Sequence, residues 1–471
     1  MKREVKTSMA YGIGAFGHNS FYTYLNTYFI MFVTSVLFSG TNHAYATKMV
    51  AIITIILTII RILELFLDPM FGGIIDSTRS KWGKYRPWIL FASITSSVLA
   101  VVLYTNLGGL AITNGMIYLI SFTILYAVMY LIYSIKDISF WGLLPAISFD
   151  SRKRGIIATV AQLGSTFGGQ LLAIAYAPLL LLFSGSPTFN LNGWLGLTIT
   201  IAVVQIVGGF IVSFGTQESQ SAITQRAERV HLSSIFKTLI KNDQLLWMSL
   251  SYLIYALGTS ATNNLLLYFF KYVLNAEKSW SFMGVVGLVT GIISLGSYPL
   301  LSALLDRRRI MIVSMSVIVL SYVMFIFDHS VIFTLIIYGI YSLALPLVFM
   351  VLILTIADSV EYGQLKVGKR SEAATTAVRP MLDKFAGAVA TLVTGVVAAV
   401  ARMTGKASAN SVSGHSILLF NIFAFYIPLV LVLVGLLIYT KKVTLSEKVH
   451  RDIIIKLQDG LSQDKISKKN E

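Results

Sequence analysis

The sequence predicts an all-α membrane protein, with twelve transmembrane helices arranged as two six-helix bundles. Three observations carry that prediction: an apolar composition, apolar stretches of bilayer-spanning length from end to end, and basic residues gathered in every second loop. Of 471 residues, 56% are hydrophobic and only 12% are charged, and the mean hydropathy is +0.76. A soluble domain carries about 25% charged residues. Crossing a hydrocarbon core takes about 20 apolar residues in a helix, and the sequence offers such stretches near 9–38, 47–74, 88–105, 114–141, 156–183, 193–215, 245–273, 281–304, 310–327, 331–357, 374–402 and 415–440. These are spans I to XII.

A net charge of +16 raises nucleic acid as a partner, but the placement of the charge answers it. Lys2, Arg3 and Lys6 precede span I, and further sets sit at Arg79/Lys81/Lys84/Arg86, Arg152/Lys153/Arg154, Arg226/Arg229/Lys237/Lys241, Arg307/Arg308/Arg309, Lys366/Lys369/Arg370 and Lys441/Lys442. The alternate loops are poor in Lys and Arg, which is the asymmetry of the positive-inside rule. Both termini are therefore expected in the cytoplasm, the bilayer is the expected partner, and nucleic acid is not. With no cysteine, disulfides, thiolate metal sites and cysteine nucleophiles are excluded. The basic start lacks a small-residue cleavage site, so span I reads as retained.

The longest internal polar stretch, 216–243, divides the chain into an N-terminal bundle (1–215) and a C-terminal bundle (244–440), followed by a tail at 441–471. An amphipathic run from Leu232 to Leu239 lies in the linker. Each half shows a small residue four before an Asp ahead of a basic cluster, at Gly72 to Asp76 and at Ser302 to Asp306. Two related halves suit alternating access around a midplane site.

A charge at the bilayer centre costs about 2.5–3.5 kcal/mol on insertion scales, so intramembrane charges are functional candidates by default. In span II, Glu64 and Asp68 are four apart and share a helix face, where they repel unless protonated or bridged by a cation. The bland alternative makes Asp68-Pro69 a helix end. In span IV, Ser134, Asp137 and Trp141 form a stripe of hydroxyl, carboxylate and aromatic plate, the chemistry that accepts from sugar hydroxyls and covers the apolar face of a pyranose. Its alternative has Lys136 reaching to the aqueous surface and pairing with Asp137. In span XI, Arg379 and Asp383 have i,i+4 spacing, leaving Lys384 to face a carboxylate on another helix. Together these clusters form a network whose charge a proton or Na⁺ resets; a purely structural lattice of ion pairs is the competing view. Na⁺ at Glu64 and Asp68 is the one metal ion in view, and no other cofactor is expected. His18, beside Asn19 deep in span I, is read by default as a hydrogen-bonded packing residue, with a proton relay as the alternative.

The stretches Tyr11 to Gly17, Asp68-Pro69 through Asp76 to Trp88, Asp137-Ile138-Ser139-Phe140-Trp141, and Glu361-Tyr362-Gly363-Gln364-Leu365-Lys366 leading to Arg370 and Glu372 resemble the glycoside-pentoside-hexuronide:cation symporter family across all twelve spans. The resemblance implies the major facilitator fold and secondary transport of a glycoside coupled to H⁺, Na⁺ or Li⁺. It is strongest toward the lactose and galactoside carriers of Gram-positive bacteria, which implies a bacterial cell membrane and no enzymatic activity. Matched residue by residue with the melibiose permease, Glu64 and Asp68 fall on cation-site acids, Ser134 on the hydroxyl beside them, and Asp137 and Trp141 on the sugar-binding pair. Lys384 falls on the helix XI lysine and Phe349 on a sugar-pocket aromatic. Asn19 and Gln162 replace a charged pair that contacts sugar, keeping donors and acceptors without charge-assisted strength. Glu372 matches the loop glutamate of lactose carriers, where Lys369 replaces a histidine, and it joins Arg379 and Asp383 as a coupling or gating candidate. The chain ends soon after span XII, so a regulatory domain in the same chain, as some carriers have, is not expected.

The resulting expectation is import of a galactoside such as lactose with a cation, H⁺ ahead of Na⁺, by a carrier working as a monomer. Sugar-for-sugar exchange is the alternative mode. A lipid or lysolipid carrier and a membrane-embedded transferase are the rivals from other classes.

Overall fold

The computed structural model describes residues 2–147, 151–218, 232–368, 371–404, 407, 409 and 412–470, without the side chains at 2–4, 145, 151–152, 154–155, 232–233, 372–373 and 459–470. Every regular element among the described residues is helical. Among the described residues, ten helices are long and apolar enough to cross a membrane. Two more carry the remaining spans: α1, Lys2–Thr23 continuing through Leu37, and α7, Asp243–Tyr268 continuing to Val273. The others are α2 His43–Ser77, α3 Arg86–Leu103, α4 Gly115–Ile147, α5 Ser151–Ser184, α6 Leu191–Gly215, α8 Trp280–Leu304, α9 Arg307–Ile326, α10 Val331–Val367 and α11 Val378–Val400. The twelfth, α12, starts as Gly414–Asn421 and ends as Ile427–Lys442.

Short polar residues set where the helices begin, because the first N–H groups of a helix lack internal partners. Asn42 caps α2 through Tyr45 N at 2.9 Å, Asn190 caps α6 through Gly193 N at 3.0 Å, and Asn242 caps α7 through Leu245 N at 3.0 Å. Asp306 caps α9 through Arg309 N at 2.8 Å. Asp76, by contrast, lies in the last turn of α2 and pairs with Lys84. The sequence repeat around these two acids thus ends in different local structures. The helix end expected as an alternative at Asp68-Pro69 does not occur, since α2 runs through Pro69 to Ser77. Neighbouring helices tolerate such prolines in membrane spans.

Among the first six helices, α1 packs on α5 and α6, and α4 on α2 and α3; among the last six, α7 packs on α11 and α12, and α10 on α8 and α9. Small residues let the backbones approach, as in membrane packing generally. A Cβ on Gly164 of α5 would lie 2.1 Å from the Gly12 carbonyl oxygen of α1, and one on Gly168 would lie 2.4 Å from that of Phe16. The halves meet along α5–α8 and α2–α11, where Gly284 faces the Gln170 carbonyl and Gly395 faces Thr54.

Wider π-type turns interrupt α1 at Tyr24–Tyr28 and Val33–Leu37, α7 at Phe269–Val273 and α12 at Ile422–Tyr426. All lie in the half of the molecule away from the chain termini, and there the halves are tied together. Tyr268 meets Thr34 at 2.6 Å, Trp280 donates to Tyr28 at 2.9 Å, and Tyr176 donates to Glu277 at 3.1 Å. Arg307, near the opposite end, bridges Asp358 of α10 at 2.6 Å and Glu447 of the tail helix at 2.8 Å.

Candidate functional site

Helical periodicity puts Arg61, Glu64 and Asp68 of α2 on one face, and α11 brings a single ammonium onto it. Lys384 Nζ lies 2.8 Å from Glu64, 2.5 Å from Asp68 and 3.9 Å from Asp137 of α4. The Glu64 side chain is 4% exposed and that of Lys384 18%. Ser134 donates to the other oxygen of Asp68 at 2.5 Å. The ammonium thus stands where a cation between Glu64 and Asp68 would bind, and it relieves the repulsion of two carboxylates one turn apart.

Asp137 has a second partner that sequence reasoning ranked low. His18 Nε2 lies 3.1 Å from it, and the buried His18 ring stacks on Phe140 at 4.8 Å with Trp141 edge-on at 6.2 Å. His18 Nδ1 is buried without a hydrogen-bond partner, which fits a neutral ring donating from Nε2. In the sequence, the only signal for this role was a histidine next to Asn19 in an apolar span.

The surface-reaching, Asp137-paired alternative for Lys136 is corrected. Its side chain is 1% exposed and donates to Gln205 of α6 at 2.8 Å, while Gln205 donates to Ser96 and Ser97 at 2.9 Å. A buried ammonium needs partners on all sides, and the polar stripe of α3 and α6 gives Lys136 a place inside the first six helices. Arg61 was legible as a charge in span II but not as a clamp. It donates to Tyr126 of α4 at 3.3 Å, Thr391 of α11 at 2.5 Å and the Leu25 carbonyl of α1 at 3.2 Å.

A cavity of about 630 Å³ lies between the halves, within the usual 300–1,000 Å³ of small-molecule sites. Asn19, Gln162, Phe349 and Asp383 line it. Tyr22 and Asn26 line both this cavity and the narrower recess that holds Glu64, Asp137 and Lys384. Asn19 spends its amide on the Ser165 carbonyl at 2.6 Å, leaving its carbonyl oxygen for the cavity. Trp141 stands apart from the cavity lining, 41% exposed, one turn from Asp137 toward the end that carries the termini. Arg379 and Asp383 pair at 3.2 Å, matching their spacing, and Arg379 covers the Phe349 ring at 5.0 Å. The Glu372 side chain lies outside the described residues.

Carboxylates bridged by a buried ammonium lie beside a polar cavity between two halves. Residues 10–441 match the model of the MFS/sugar transport protein family. The chain belongs to that family. Its motifs and its relatives place it among the glycoside-pentoside-hexuronide symporters, and it is a multi-pass membrane sugar transporter, not an enzyme. It is 37% identical to a lactose permease of Lactobacillus helveticus, over 99% of this chain and 74% of the relative. It is 38% identical to a lactose permease of Lactobacillus delbrueckii subsp. bulgaricus, over 98% and 74%. A raffinose carrier protein of Pediococcus pentosaceus is 37% identical, over 96% and 71%. Among solved structures, a bacterial homologue of the iron transporter ferroportin in an inward-facing state shares the fold, with a TM-score of 0.62, 15% identity and coverage of 94% of this chain and 99% of that one. The nucleoside transporter NupG does so with a TM-score of 0.58 at 15% identity, covering 94% of this chain and 100% of that one.

Proposed function

We propose that the protein imports a galactoside together with one cation across the bacterial plasma membrane, by alternating access and as a monomer. The observation that carries this is Lys384 held between Glu64 and Asp68, 3.9 Å from Asp137. One ammonium joins the acids of α2 to the acid of α4, so a cation arriving at the first pair releases Lys384 and changes the field at Asp137. Protonation of Glu64 or Asp68 is enough to loosen that hold, which favours H⁺; Na⁺ has to take over the ammonium's position with its own ligands.

The sugar follows from shared chemistry. The names of the relatives point to lactose and raffinose, which have a galactosyl ring in common. That ring is assigned to Asp137 with Asn19 and Gln162 around it, while Trp141 stands apart from the cavity lining. Basic loops on the side of the termini support cytoplasmic termini. The ties at Tyr28, Thr34 and Glu277 then close the outer face, so that this conformation opens inward. The basic residues act as topological signals, and nucleic acid is not a partner.

One charge moving inward through 100 mV gains about 2.3 kcal/mol, about fifty-fold accumulation. The test is galactoside uptake in vesicles with an imposed proton or Na⁺ gradient. Accumulation is expected to follow the proton gradient and to vanish in Asp137→Ala and Lys384→Ala. Accumulation that survives both substitutions rules the network out as the coupling device.

A further inference from the structure

The cavity is lined by an acid other than Asp137: Asp383, contributed by α11 of the last six helices. Tyr252 of α7 donates to one of its oxygens at 2.6 Å, and Arg379 lies 3.2 Å from the other. A carboxylate accepts about four hydrogen bonds, so Asp383 keeps capacity for two hydroxyl donors. Its side chain is 32% exposed and faces the cavity, which Tyr252 and Phe349 also line. Arg379 lies over the Phe349 ring and fixes both the acid and the aromatic. Asp383 and Phe349 thus offer in the cavity the pairing of carboxylate and aromatic that was expected of Asp137 and Trp141.

The two acids line different spaces. Asp137 lies in the recess with Glu64 and Lys384, whereas Asp383 lines the larger cavity, and the two spaces join at Tyr22 and Asn26. The recess itself, about 10 Å³, has room for little more than a water, so a galactosyl ring reaches toward Asp137 from the cavity side at Tyr22 and Asn26 and leaves most of the 630 Å³ cavity to whatever is attached to it. Consecutive residues on a helix point about 100° apart, so α11 presents Lys384 to the recess and Asp383 to the cavity.

Resting on the galactoside function above, we propose that Asp383, oriented by Tyr252 and Arg379 beside Phe349, is a subsite for a second sugar ring. It makes the carrier prefer oligosaccharides to single-ring galactosides.

The experiment measures half-saturation constants for methyl β-galactoside, lactose and raffinose in vesicles carrying the full chain, for the wild type, Asp383→Asn and Tyr252→Phe. Both substitutions conserve shape, and thermal melting in detergent checks the fold. The expected result is a rise of about tenfold in the ratio of the lactose constant to the methyl galactoside constant in each variant, the size of one lost charge-assisted hydrogen bond. Raffinose is expected to follow lactose. An equal change for all three sugars, as a gating role for Asp383 predicts, or no change in either variant, overturns the subsite alone. A wild type that takes up none of the three overturns the galactoside function itself.

Discussion

Asp137 is held by two side chains from different helices, His18 at 3.1 Å and Lys384 at 3.9 Å, and the two holds differ in kind. The ammonium belongs to the ion network, while the imidazole is wedged among Phe140, Tyr133 and Trp141 and so fixes the direction of the carboxylate. His18→Phe keeps the stack and removes the donor. Loss of a hydrogen bond to a charged group is worth about 1.5–3 kcal/mol. The free protein is therefore expected to melt earlier, and sugar binding, which relies on the fixed carboxylate, to weaken at least tenfold, both read by thermal melting with and without ligand. Unaltered binding assigns His18 to packing alone. The spacing of Glu64, Asp68, Asp137 and Lys384 was legible in the sequence because helical period and intramembrane charge are one-dimensional signals. His18 was not, since only the crossing of α1 and α4 brings it to Asp137.

The helices owe their close crossings to glycines whose missing Cβ atoms are needed in some places and idle in others. Gly164 sits where a Cβ would be 2.1 Å from the Gly12 carbonyl oxygen, whereas nothing lies within 4 Å of a Cβ on Gly72. Gly164→Val is expected to force α1 and α5 apart and to destabilise by more than the 1–3 kcal/mol typical of overpacking. Gly72→Ala is expected to leave stability unchanged or slightly raised, because glycine in a helix costs about 1 kcal/mol against alanine. Comparative thermal melting of the two variants reads this difference. Sequence reasoning found the helices because apolar length and asparagine or aspartate caps are local, but it ended span X ten residues short of Val367 and span IV six short of Ile147, where polar residues continue the helix beyond the apolar stretch. The π-type turns of α1, α7 and α12 follow from how the halves meet at one end, and no local signal announced them.

Across the whole molecule, the halves are joined by few polar ties at the end away from the termini, and one such tie is worth about 1 kcal/mol. Breaking the Trp280 to Tyr28 bond, 2.9 Å, with Trp280→Phe is expected to shift the balance of conformations about fivefold toward the form open at that end. The absence of native cysteine makes the measurement direct. A Thr259→Cys reporter, lining the cavity, is expected to react faster with an impermeant thiol reagent applied to the face away from the termini when Trp280→Phe is present. An equal rate in both backgrounds removes this tie from the gate at that end.

The sequence by itself determined a membrane protein of twelve helices and the family, and it singled out the acids of α2 and α4 with the lysine of α11 as candidates. Each of these rests on composition, periodicity or motif, which need no partner in space. Only the tertiary structure decided which charges meet. It put Lys384 on three carboxylates, turned Lys136 inward to Gln205, set His18 against Asp137, and gave Asp383 a cavity to face. A buried charge is settled by what the neighbouring helices offer it, and that is known only once they are packed.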